Sequence, residues 1–481
     1  MGVVEALNRM FNASSVAVIG ASSEQGKVGY SVVKNMVDGG YKGKIYPVNP
    51  SRVGEVLFGL RYYANVREIP DVVDTAVIVI PARFVNEAIA DCGRKGIPTA
   101  VIISSGYSET GNVDLQRQLV EAGRKAQVRI LGPNIFGFYY THNDLCATFC
   151  TPYTKRGGIA LTCQSGGVGM AIIGFTRSRG MGVSAIVGLG NKADLDEDDM
   201  LEFFGQDDNT KVIAMHMEDL KDGRAFVNAA RRVSKAKPIV VFKAGRTQMG
   251  ARAAASHTGA LAGVDHIYDA AFKKCGVIRA HTLYELLDWA RALFMLPPPR
   301  GENVFIHTSA GGLGVILADA AQDYGLKPMD IPSDLERELR RYIPPFGSFK
   351  NPVDVTGSST PEIQGETAEI AIRDPRVHSI IFGYWHTVIT PPMVYAKVLA
   401  EAVEGARAEG IEKPMVASLS GDVEVEEAAR YLEGRGIPSY PYMPERAVSS
   451  LAAVYRWARY AGLVEHKSSR GLRGSPTKEA S

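Results

Sequence analysis

One histidine lies in a segment of small residues that could carry group-transfer chemistry. His257 stands between Ser256 and Thr258 within residues 243–263, KAGRTQMGARAAASHTGALAG, directly after the apolar run Pro238–Phe242. A neutral imidazole has a free nitrogen lone pair and can attack phosphorus. Few side chains in this segment are large enough to anchor it, so we expect a mobile loop that presents the histidine.

The same histidine could also be an ordinary surface residue. The chain has 9 histidines, and histidine commonly satisfies local hydrogen bonds. Glu218, which ends the apolar run VIAMHME, could hydrogen-bond an imidazole nitrogen and stabilise the positive ring that forms on phosphorylation. It could equally be a surface acid beside Asp219 and Asp222, since charged residues mostly lie at the surface. Composition and spacing leave both interpretations open.

Two further turns have the small residues that a phosphate site requires. Each follows an apolar strand and precedes a helical pattern, in LTCQSGGVGM (161–170) and in FIHTSAGGLGV (305–315). Free backbone N–H groups and the positive end of a helix dipole could hold an anion there. The turn residues are Gln164, Ser165, Gly166 and Gly167 in the first and Ala310, Gly311 and Gly312 in the second. Together with His257 they suggest two opposed helix starts that grip one phosphate, although such turns also occur for packing alone.

A third glycine-rich turn lies near the N-terminus. Residues 15–29, SVAVIGASSEQGKVG, read as a strand, a turn with Gly20, Gly26 and Gly29, and a helix start. This is a weak signal by itself, because many tight turns share it. The next strand, KIYPVNP, ends in Asn49 and Pro50, where NAD-binding folds usually have an acidic residue for the ribose. The missing acid argues against an NAD-dependent oxidoreductase.

Apolar runs rich in Val and Ile alternate with helical patterns along most of the chain. Such runs are typical of strands buried on both faces of a parallel sheet, and the alternation predicts an α/β fold with right-handed βαβ units. The predicted strands include Ser15–Gly20, Lys44–Val48, Thr75–Ile80, Thr99–Ser104, Gly158–Thr162, Val183–Gly188, Lys211–His216, Pro238–Ala244, Val304–Thr308 and Ser379–Gly383. Their carboxyl ends should gather ligand-binding loops at one edge of each sheet.

Two breaks divide the 481 residues into three units. Thr151–Gly158 contains proline and glycine, and Leu296–Glu302 contains three consecutive prolines that cannot continue a helix. We therefore expect domains at 1–150, 151–296 and 303–465. Residues 466–481 have almost no apolar side chains to bury and are predicted to be disordered.

The composition excludes several classes of protein. A formal net charge of +2 is too small to suggest a nucleic-acid or anionic-membrane partner. No apolar run is long enough to cross a membrane, and no secretory signal begins the chain, so we expect a cytoplasmic protein. Cys146 and Cys150 form a lone pair among 5 cysteines, which predicts reduced thiols and no metal site.

Taken together, these segments resemble the acyl-CoA synthetases that form ADP and ATP reversibly, which are relatives of succinyl-CoA synthetase. The matching stretches run in the family's order over roughly residues 10–460: VAVIGASSEQGKVG, KIYPVNP, LGPN, LTCQSGGVG, KAGRTQMGARAAASHTGALAG, TSAGGLGV and NPVDVTG. SHTGALAG close behind KAGR is the specific match. One difference is that Glu218 is followed by Asp219, whereas the family pattern has glycine there.

The resemblance implies a Rossmann-like CoA-binding domain followed by two flavodoxin-like, doubly wound parallel-sheet domains. It implies that His257 carries a phosphoryl group, that Glu218 steadies this histidine, and that the turns at Gln164–Gly167 and Ala310–Leu313 hold phosphate. The residues that it implies for CoA are Gly20, Ala21, Ser22, Lys27, Val48, Asn49, Pro50, Ile80, Pro81, Ser104, Gly106 and Asn134.

The family also contains an ATP-grasp module that binds the nucleotide with Mg²⁺. The residues after Glu465 are too few to supply one, so the chain resembles the α subunit of split enzymes that pair with a separate ATP-grasp β subunit, as α2β2. The implied ligands are CoA, phosphate, ADP or ATP with Mg²⁺, and a small carboxylic acid or its acyl-CoA. A CoA-binding regulatory or scaffold protein of the same fold, without ligase activity, is the alternative.

Overall fold

The computed structural model describes residues 1–151, 154–258 and 265–464, and of residues 254–258 it describes the backbone only. The predicted tail, 466–481, lies outside the described residues. The chain forms two compact units, Met1–Phe294 and Met295–Ser481.

The first unit begins with a sheet of five parallel strands. Its elements, with a short hairpin β3–β4, are α1 (Val3–Phe11), β1 (Ser15–Ile19), α2 (Val28–Asp38), β2 (Lys44–Val48), β3 (Val56–Leu57), β4 (Leu60–Arg61), β5 (Thr75–Ile78), α3 (Val85–Lys95), β6 (Thr99–Ile102), α4 (Val113–Ala126) and β7 (Arg129–Leu131). The strand order is β2-β1-β5-β6-β7. Because the order reverses beside β1, the carboxyl ends of the strands open a crevice there.

A second sheet in the same unit has seven strands. Its elements are β8 (Gly137–Tyr140), β9 (Leu145–Thr148), β10 (Arg156–Cys163), α5 (Gly166–Ser178), β11 (Val183–Gly188), α6 (Glu197–Gln206), β12 (Val212–Met217), α7 (Gly223–Val233), β13 (Ile239–Lys243), α8 (Gln248–Thr258), α9 (Asp265–Cys275), β14 (Ile278–Ala280) and α10 (Leu283–Met295). The order is β14-β13-β12-β10-β11-β8-β9. Five strands are parallel, whereas β8 and β9 form an antiparallel edge. Residues 137–148 thus pair with the second sheet, although they precede the break at Thr151–Gly158.

The second unit contains the third sheet, which is parallel throughout. Its elements are β15 (Asn303–Thr308), α11 (Gly311–Asp323), β16 (Lys327–Pro328), α12 (Ser333–Leu339), β17 (Val353–Asp354), α13 (Pro361–Arg373), β18 (Ser379–Trp385), α14 (Pro392–Ala408), β19 (Met415–Ser420), α15 (Glu424–Glu433), β20 (Ser439–Pro441) and α16 (Pro444–Ala461). The order is β16-β15-β18-β19-β20, with β17 also paired to β15. The predicted α/β class with parallel sheets is confirmed.

Aromatic packing explains why the first two sheets share a unit. Phe11 of α1 stacks on Phe203 of α6 with ring centroids 4.7 Å apart, and it meets Phe138 of β8 edge-on at 5.4 Å. Large buried rings of this kind dominate core energetics. The N-terminal helix is therefore packed into the core that it shares with the second sheet.

The predicted loop at 243–263 is partly wrong. Residues 248–258 form helix α8, because Gln, Met, Arg and several Ala are strong helix formers and outweigh the single Gly250. Among the helices of the described ranges, none is long and apolar enough to cross a membrane.

Candidate active site

The first predicted phosphate turn opens into a cavity of about 700 Å³ in the first unit. The cavity lies where loops of the first sheet meet the carboxyl ends of the second. Its lining includes Ser105, Ser108, Glu109, Asn134, Gln164, Ser165, Gly166, Gly167, Asn191, Glu218, Asp219 and Lys221. The four turn residues predicted to hold phosphate therefore share one cavity with the predicted carboxylate.

Gly166 and Gly167, the first residues of α5, leave the helix start open. A Cβ atom added at either residue would meet no atom within 4 Å, and neither residue has a positive φ. Glycine inside a helix costs about 0.5–1 kcal/mol relative to alanine, so neither packing nor conformation explains its presence. Ser165 caps the helix, with its Oγ accepting from the N–H of Val168 at 3.5 Å. The space in front of the free N–H groups fits a bound phosphate.

The side chain of Gln164 connects the ends of β10 and β12. Its Oε1 accepts from the N–H groups of Glu218, at 2.7 Å, and Asp219, at 3.3 Å. Its Nε2 donates to Oδ1 of Asp219 at 2.7 Å. Gln164 was predicted as a phosphate contact, but its amide is engaged in holding the backbone of Glu218 at the cavity wall.

Lys192 lies behind this wall as a buried cation. Its ammonium is 1% exposed and lies 3.0 Å from Glu197, 3.2 Å from Asp196 and 2.9 Å from Asp219. Burial lowers the pKa of Lys192, but the surrounding carboxylates outweigh burial and raise the pKa above its usual value. Lys192 therefore stays ionised, and its ammonium fixes Asp219, the residue that follows Glu218.

Asn191 precedes Lys192 in the loop that follows β11, and it connects this loop to the first sheet. Its Nδ2 donates to Glu109, at 2.5 Å, and to Gln116, at 3.0 Å. Burial raises the pKa of Glu109, but hydrogen bonds from Asn191 and from the N–H of Gly106 lower it more, so the pKa lies below its usual value. The loop that ends β6 and the loop that ends β11 are thus fastened together at the mouth of the cavity.

Helix α8 contains His257, whose side chain lies outside the described residues. The backbone of this helix approaches the short 3-10 helix Ser108–Thr110, with Cα atoms within 8 Å. Ser108 and Glu109 line the cavity. The backbone that bears the histidine therefore runs beside the cavity wall.

Six of the residues predicted to contact CoA line a second cavity, of about 390 Å³, at the carboxyl edge of the first sheet. They are Gly20, Val48, Asn49, Pro50, Ile80 and Pro81. Asn49 takes the place of the acid expected for NAD, and its side chain donates to the carbonyl of Ala21 at 2.9 Å and accepts from the N–H of Ser51 at 3.0 Å. The largely apolar lining, with the exposed ring of Phe84, suits the base of a nucleotide rather than its phosphates.

Packing accounts for two of the three glycines in the N-terminal turn. A Cβ atom at Gly20, where φ is +93°, would lie 2.7 Å from the Ile80 side chain. At Gly29 it would lie 2.1 Å from the carbonyl oxygen of Gly20. Helix α2 can approach β1 only with glycine there, so the packing interpretation holds for Gly20 and Gly29. Gly26, with φ +88°, faces open space.

Of the other predicted CoA residues, all within the described ranges, Asn134 alone is in the lining of one of these two cavities. Asn134, with φ +62°, lines the larger cavity and donates its N–H to the carbonyl of Ser104 at 3.0 Å. Gly106 donates its N–H to Glu109 at 2.6 Å. Ser22 accepts from the N–H of Glu24 at 3.1 Å. Ala21 is buried, and the exposed Lys27 immediately precedes α2.

The second predicted phosphate turn begins α11 in the other unit. A Cβ atom at Gly312 would again meet no atom within 4 Å, but at Gly311 it would lie 3.1 Å from Oδ2 of Asp354. Ala310 occupies the cap position without a side-chain hydrogen bond. Thr308 compensates, because its Oγ1 accepts from the N–H of Ala310 at 3.1 Å.

Asn351 completes the third sheet. Its Oδ1 accepts from the N–H of Ile306 at 2.9 Å, and its Nδ2 donates to the carbonyls of Val304 and Met329 at 2.8 and 3.0 Å. One side-chain amide thereby satisfies backbone hydrogen-bonding groups of β15 at positions that β17 does not reach. It also places Asp354 beside the second turn.

Sequence reasoning missed Lys192, Asn191 and Glu109. A lysine among the acids of NKADLDEDD, directly after a strand, is the signal that could have suggested a buried ion cluster. Nothing in the sequence pairs Asn191 with Glu109, because they are 82 residues apart. Within the described ranges, no group of His, Cys, Asp or Glu residues is arranged to hold a metal ion, and the five cysteines are buried without a disulfide.

Three family models match the chain in succession. They describe a CoA binding domain at residues 14–141, a succinyl-CoA ligase like flavodoxin domain at 156–293 and a ligase-CoA domain at 304–465.

Among curated relatives, the α subunit of ADP-forming acetate–CoA ligase I from Pyrococcus furiosus is 48% identical over 470 residues, 96% of this chain and 99% of the relative. The ADP-forming acetate–CoA ligase of Methanocaldococcus jannaschii is 40% identical over 92% of this chain, which corresponds to 62% of that longer protein. A solved structure is also similar: dinucleotide forming acetyl-coenzyme A synthetase 1 from Candidatus Korarchaeum cryptofilum, in complex with phosphate and ADP. It superposes with a TM-score of 0.91 at 41% identity, over 95% of this chain and 98% of that chain.

Proposed function

The chain belongs to the family of ADP-forming acetate–CoA ligases, and from this premise we propose how its own residues carry out the reaction. Its function is that of the α subunit of an acid–thiol ligase, which interconverts acyl-CoA, phosphate and ADP with carboxylic acid, CoA and ATP. The observation that carries the mechanism is the cavity that the open start of α5 and Glu218 both line. Helix α8, which bears His257, approaches the 3-10 helix Ser108–Thr110, and Ser108 and Glu109 line the same cavity.

In the first step, phosphate lies on the N–H groups of Gly166 and Gly167. One of its oxygens attacks the thioester carbonyl carbon, the C–S bond breaks, and CoA leaves as the thiolate. The product is an acyl phosphate. The helix start stabilises the negative charge, and the main contribution of the protein is alignment of the two reactants.

In the second step, a ring nitrogen of His257 attacks the phosphorus of the acyl phosphate. The bond from phosphorus to the acyl oxygen breaks, and the carboxylate leaves. Glu218, whose backbone N–H is held by Gln164, would accept a hydrogen bond from the other ring nitrogen and stabilise the positive ring. Protonation of the free ring would remove its lone pair, so phosphorylation should slow in acid.

CoA would bind with its nucleotide end in the 390 Å³ cavity and its thiol end at Ser105 and Asn134, which line the larger one. The residues fit this ligand because both cavities lie along the carboxyl edge of one parallel sheet. We retain the three domains, at 1–150, 151–296 and 303–465, and the phosphate role of Ala310–Gly312 as parts of the proposal.

In this proposal a partner subunit binds the nucleotide. Relatives that this chain matches over nearly their full length are called α subunits, which implies a β subunit. We propose that this β subunit is an ATP-grasp protein, that it binds ADP with Mg²⁺, and that two copies of each chain assemble. Phosphorylated His257 would deliver its phosphoryl group there.

The proposed reaction is tested by mixing the purified chain with its β subunit and following ATP formation from acetyl-CoA, phosphate and ADP. His257→Ala should abolish ATP formation, and Glu218→Gln should lower it by about 100-fold or more, which is typical of a lost charge-stabilising group. Substantial activity in His257→Ala would show that the phosphoryl group takes another route. Binding of CoA without any turnover in the wild type would favour the regulatory or scaffold alternative.

A further inference from the structure

Large apolar side chains are exposed in the cavity at the first phosphate turn. Val28, Val113, Phe149 and Met170 line it with 39%, 47%, 42% and 43% of their surface exposed. Folded proteins rarely leave large apolar groups together in a concave site unless a ligand covers them. The polar groups described above account for phosphate and the thiol end of CoA, but not for this wall.

Met170 lies close to the phosphate position along helix α5. It follows Gly166 by four residues, which places both on one helix face about 6 Å apart along the axis. Gly169 sets the helix tightly against Phe136, because an added Cβ would lie 2.3 Å from the ring. Phe136 is 3% exposed and also lines the cavity, so Met170 stands on a rigid support.

Phe149 is held in place from behind by a buried amide. Asn35, which is 6% exposed, donates from Nδ2 to the carbonyls of Thr148, at 2.7 Å, and Cys150, at 2.8 Å. Thr148 Oγ1 donates to the carbonyl of Phe136 at 2.5 Å and accepts from the N–H of Cys150 at 3.0 Å. The backbone on both sides of Phe149 is therefore fixed while its ring projects into the cavity. A clamped but exposed ring is what a pre-organised binding site requires.

We propose that Phe149 and Met170 bind the acyl group and determine which carboxylic acids the enzyme accepts. This inference rests on the proposed function. In the acyl phosphate the acyl carbonyl carbon is bonded to a phosphate oxygen, so with phosphate at Gly166 the acyl group begins near Met170, which lies one helical turn along α5. The wall is apolar on the side of Phe149, so it favours acids with a hydrocarbon tail over acids whose second charge would be desolvated against it.

The pantetheine arm of CoA is also apolar in part and could touch the same wall, so the test separates the two. The complex with the β subunit is assayed with acetate, butyrate and hexanoate, and separately at varied CoA. Phe149→Ala should raise the ratio of kcat/KM for hexanoate to that for acetate by about tenfold or more, because the truncated side chain leaves room for a longer tail and a methylene in an apolar pocket changes discrimination by that order. Met170→Phe should lower the ratio. Neither variant should change the KM for CoA by more than about threefold.

Phe84 offers a matched control. It is a phenylalanine of similar exposure, 47%, but it lines the 390 Å³ cavity. Phe84→Ala should raise the KM for CoA and leave the ratio between acids unchanged. Phe149→Leu supplies a milder variant if the alanine variant unfolds, with the melting temperature measured for each.

An unchanged ratio in a folded Phe149 variant would overturn the proposal, as would a raised KM for CoA without a change in ratio, which would assign the wall to the CoA arm. A wild-type complex that ligates none of the acids would instead contradict the proposed function, and this inference with it.

Discussion

The two glycine-rich helix starts, one in each unit, have similar backbones but different surroundings. At the first, a serine caps the helix, a buried amide holds Glu218 at the wall, and both glycines face open space. At the second, an alanine stands at the cap, and Oδ2 of Asp354 lies 3.1 Å from the Cβ position of Gly311. The carboxylate at the second start therefore competes with any anion for the positive end of the helix.

This difference shows that a glycine-rich turn after a strand does not by itself define a phosphate site. The side chains that converge on the turn from other strands decide what it can bind. At the first turn the side chain of Gln164 holds the backbone of Glu218 at the cavity wall, and no carboxylate among the described residues lies against the helix start as Asp354 does at the second.

The largest effect is expected from the buried cation behind the first turn. Lys192→Met would remove the cation that lies within 3.2 Å of Glu197, Asp196 and Asp219, and breaking a buried ion cluster in this way costs about 3–5 kcal/mol. Urea unfolding of the first unit should show a loss of that order, together with lost ligase activity.

Two matched variants separate the positioning role of this cluster from its contribution to stability. Asp219→Asn and Asp196→Asn each remove one carboxylate from Lys192, but only Asp219 also contacts Gln164. We expect similar losses of stability and a greater loss of kcat in Asp219→Asn. Equal kcat values would contradict the positioning role.

Substitution of an open glycine should weaken phosphate binding without lowering the stability of the fold. Gly166→Ala adds a methyl group where no protein atom lies within 4 Å, so the melting temperature should hold or rise, while the KM for phosphate should rise about tenfold or more. Gly169→Ala is the control, because its methyl group would strike Phe136 and should lower the melting temperature. Unchanged phosphate kinetics in Gly166→Ala would mean that phosphate does not bind at the first turn.

A substitution of Asp354 tests the comparison of the two helix starts at the second one. Asp354→Asn can still accept from the N–H of Thr356, a bond of 2.8 Å in the wild type, but it removes the negative charge at the second turn. Anions should then bind the second helix start more tightly, by about two- to fivefold. Titration of the wild type and the variant with labelled phosphate measures this change, and weaker binding by the variant would mean that the carboxylate assists the ligand.

The smallest effect is expected in how the stability of each unit depends on pH. Burial lowers the pKa of His216 to about 4, with help from the charge of Lys243, and burial alone lowers the pKa of His307 to about 4. An unfolded histidine titrates near 6.5, so between roughly pH 6.5 and 4 the unfolded chain binds more protons and stability falls as the pH falls.

The melting temperature of the second unit should therefore decrease on acidification from about pH 7 to about pH 5. In the first unit burial raises the pKa of Asp199 to about 6, which opposes this loss of stability as the pH falls. His307→Gln, which can keep a hydrogen bond to Thr367, should reduce the decrease in the second unit only. An identical decrease in the variant would show that other groups dominate.

The sequence predicted the strands well, because buried parallel strands are continuous apolar runs, as in Val183–Gly188. It also identified the residues of both cavities that belong to strand ends, such as Val48 and Gln164. The antiparallel edge β8–β9 and the helix at 248–258 were not foreseen, because the first depends on pairing across the chain and the second on helix propensity in a segment read as a loop.

What the sequence could not reveal were the contacts between distant residues. Asn35 fastens the strand end before Phe149 over 113 residues, and Asn191 reaches Glu109 over 82. The position of a polar residue in an amphipathic helix does not identify its hydrogen-bond partner. Such amides decide which of the exposed side chains are held rigidly, and therefore which are candidates for binding.

The most direct test of the central claim is phosphorylation of His257 itself. The purified chain is incubated with ATP labelled in the γ-phosphate and with Mg²⁺, with and without the β subunit, and acid-labile, base-stable label is mapped to the residue. Label that requires the β subunit, is absent from His257→Ala and is reduced in Glu218→Gln is the predicted result. No label on His257 in a complex that still makes acetyl-CoA from acetate, CoA and ATP would contradict the account.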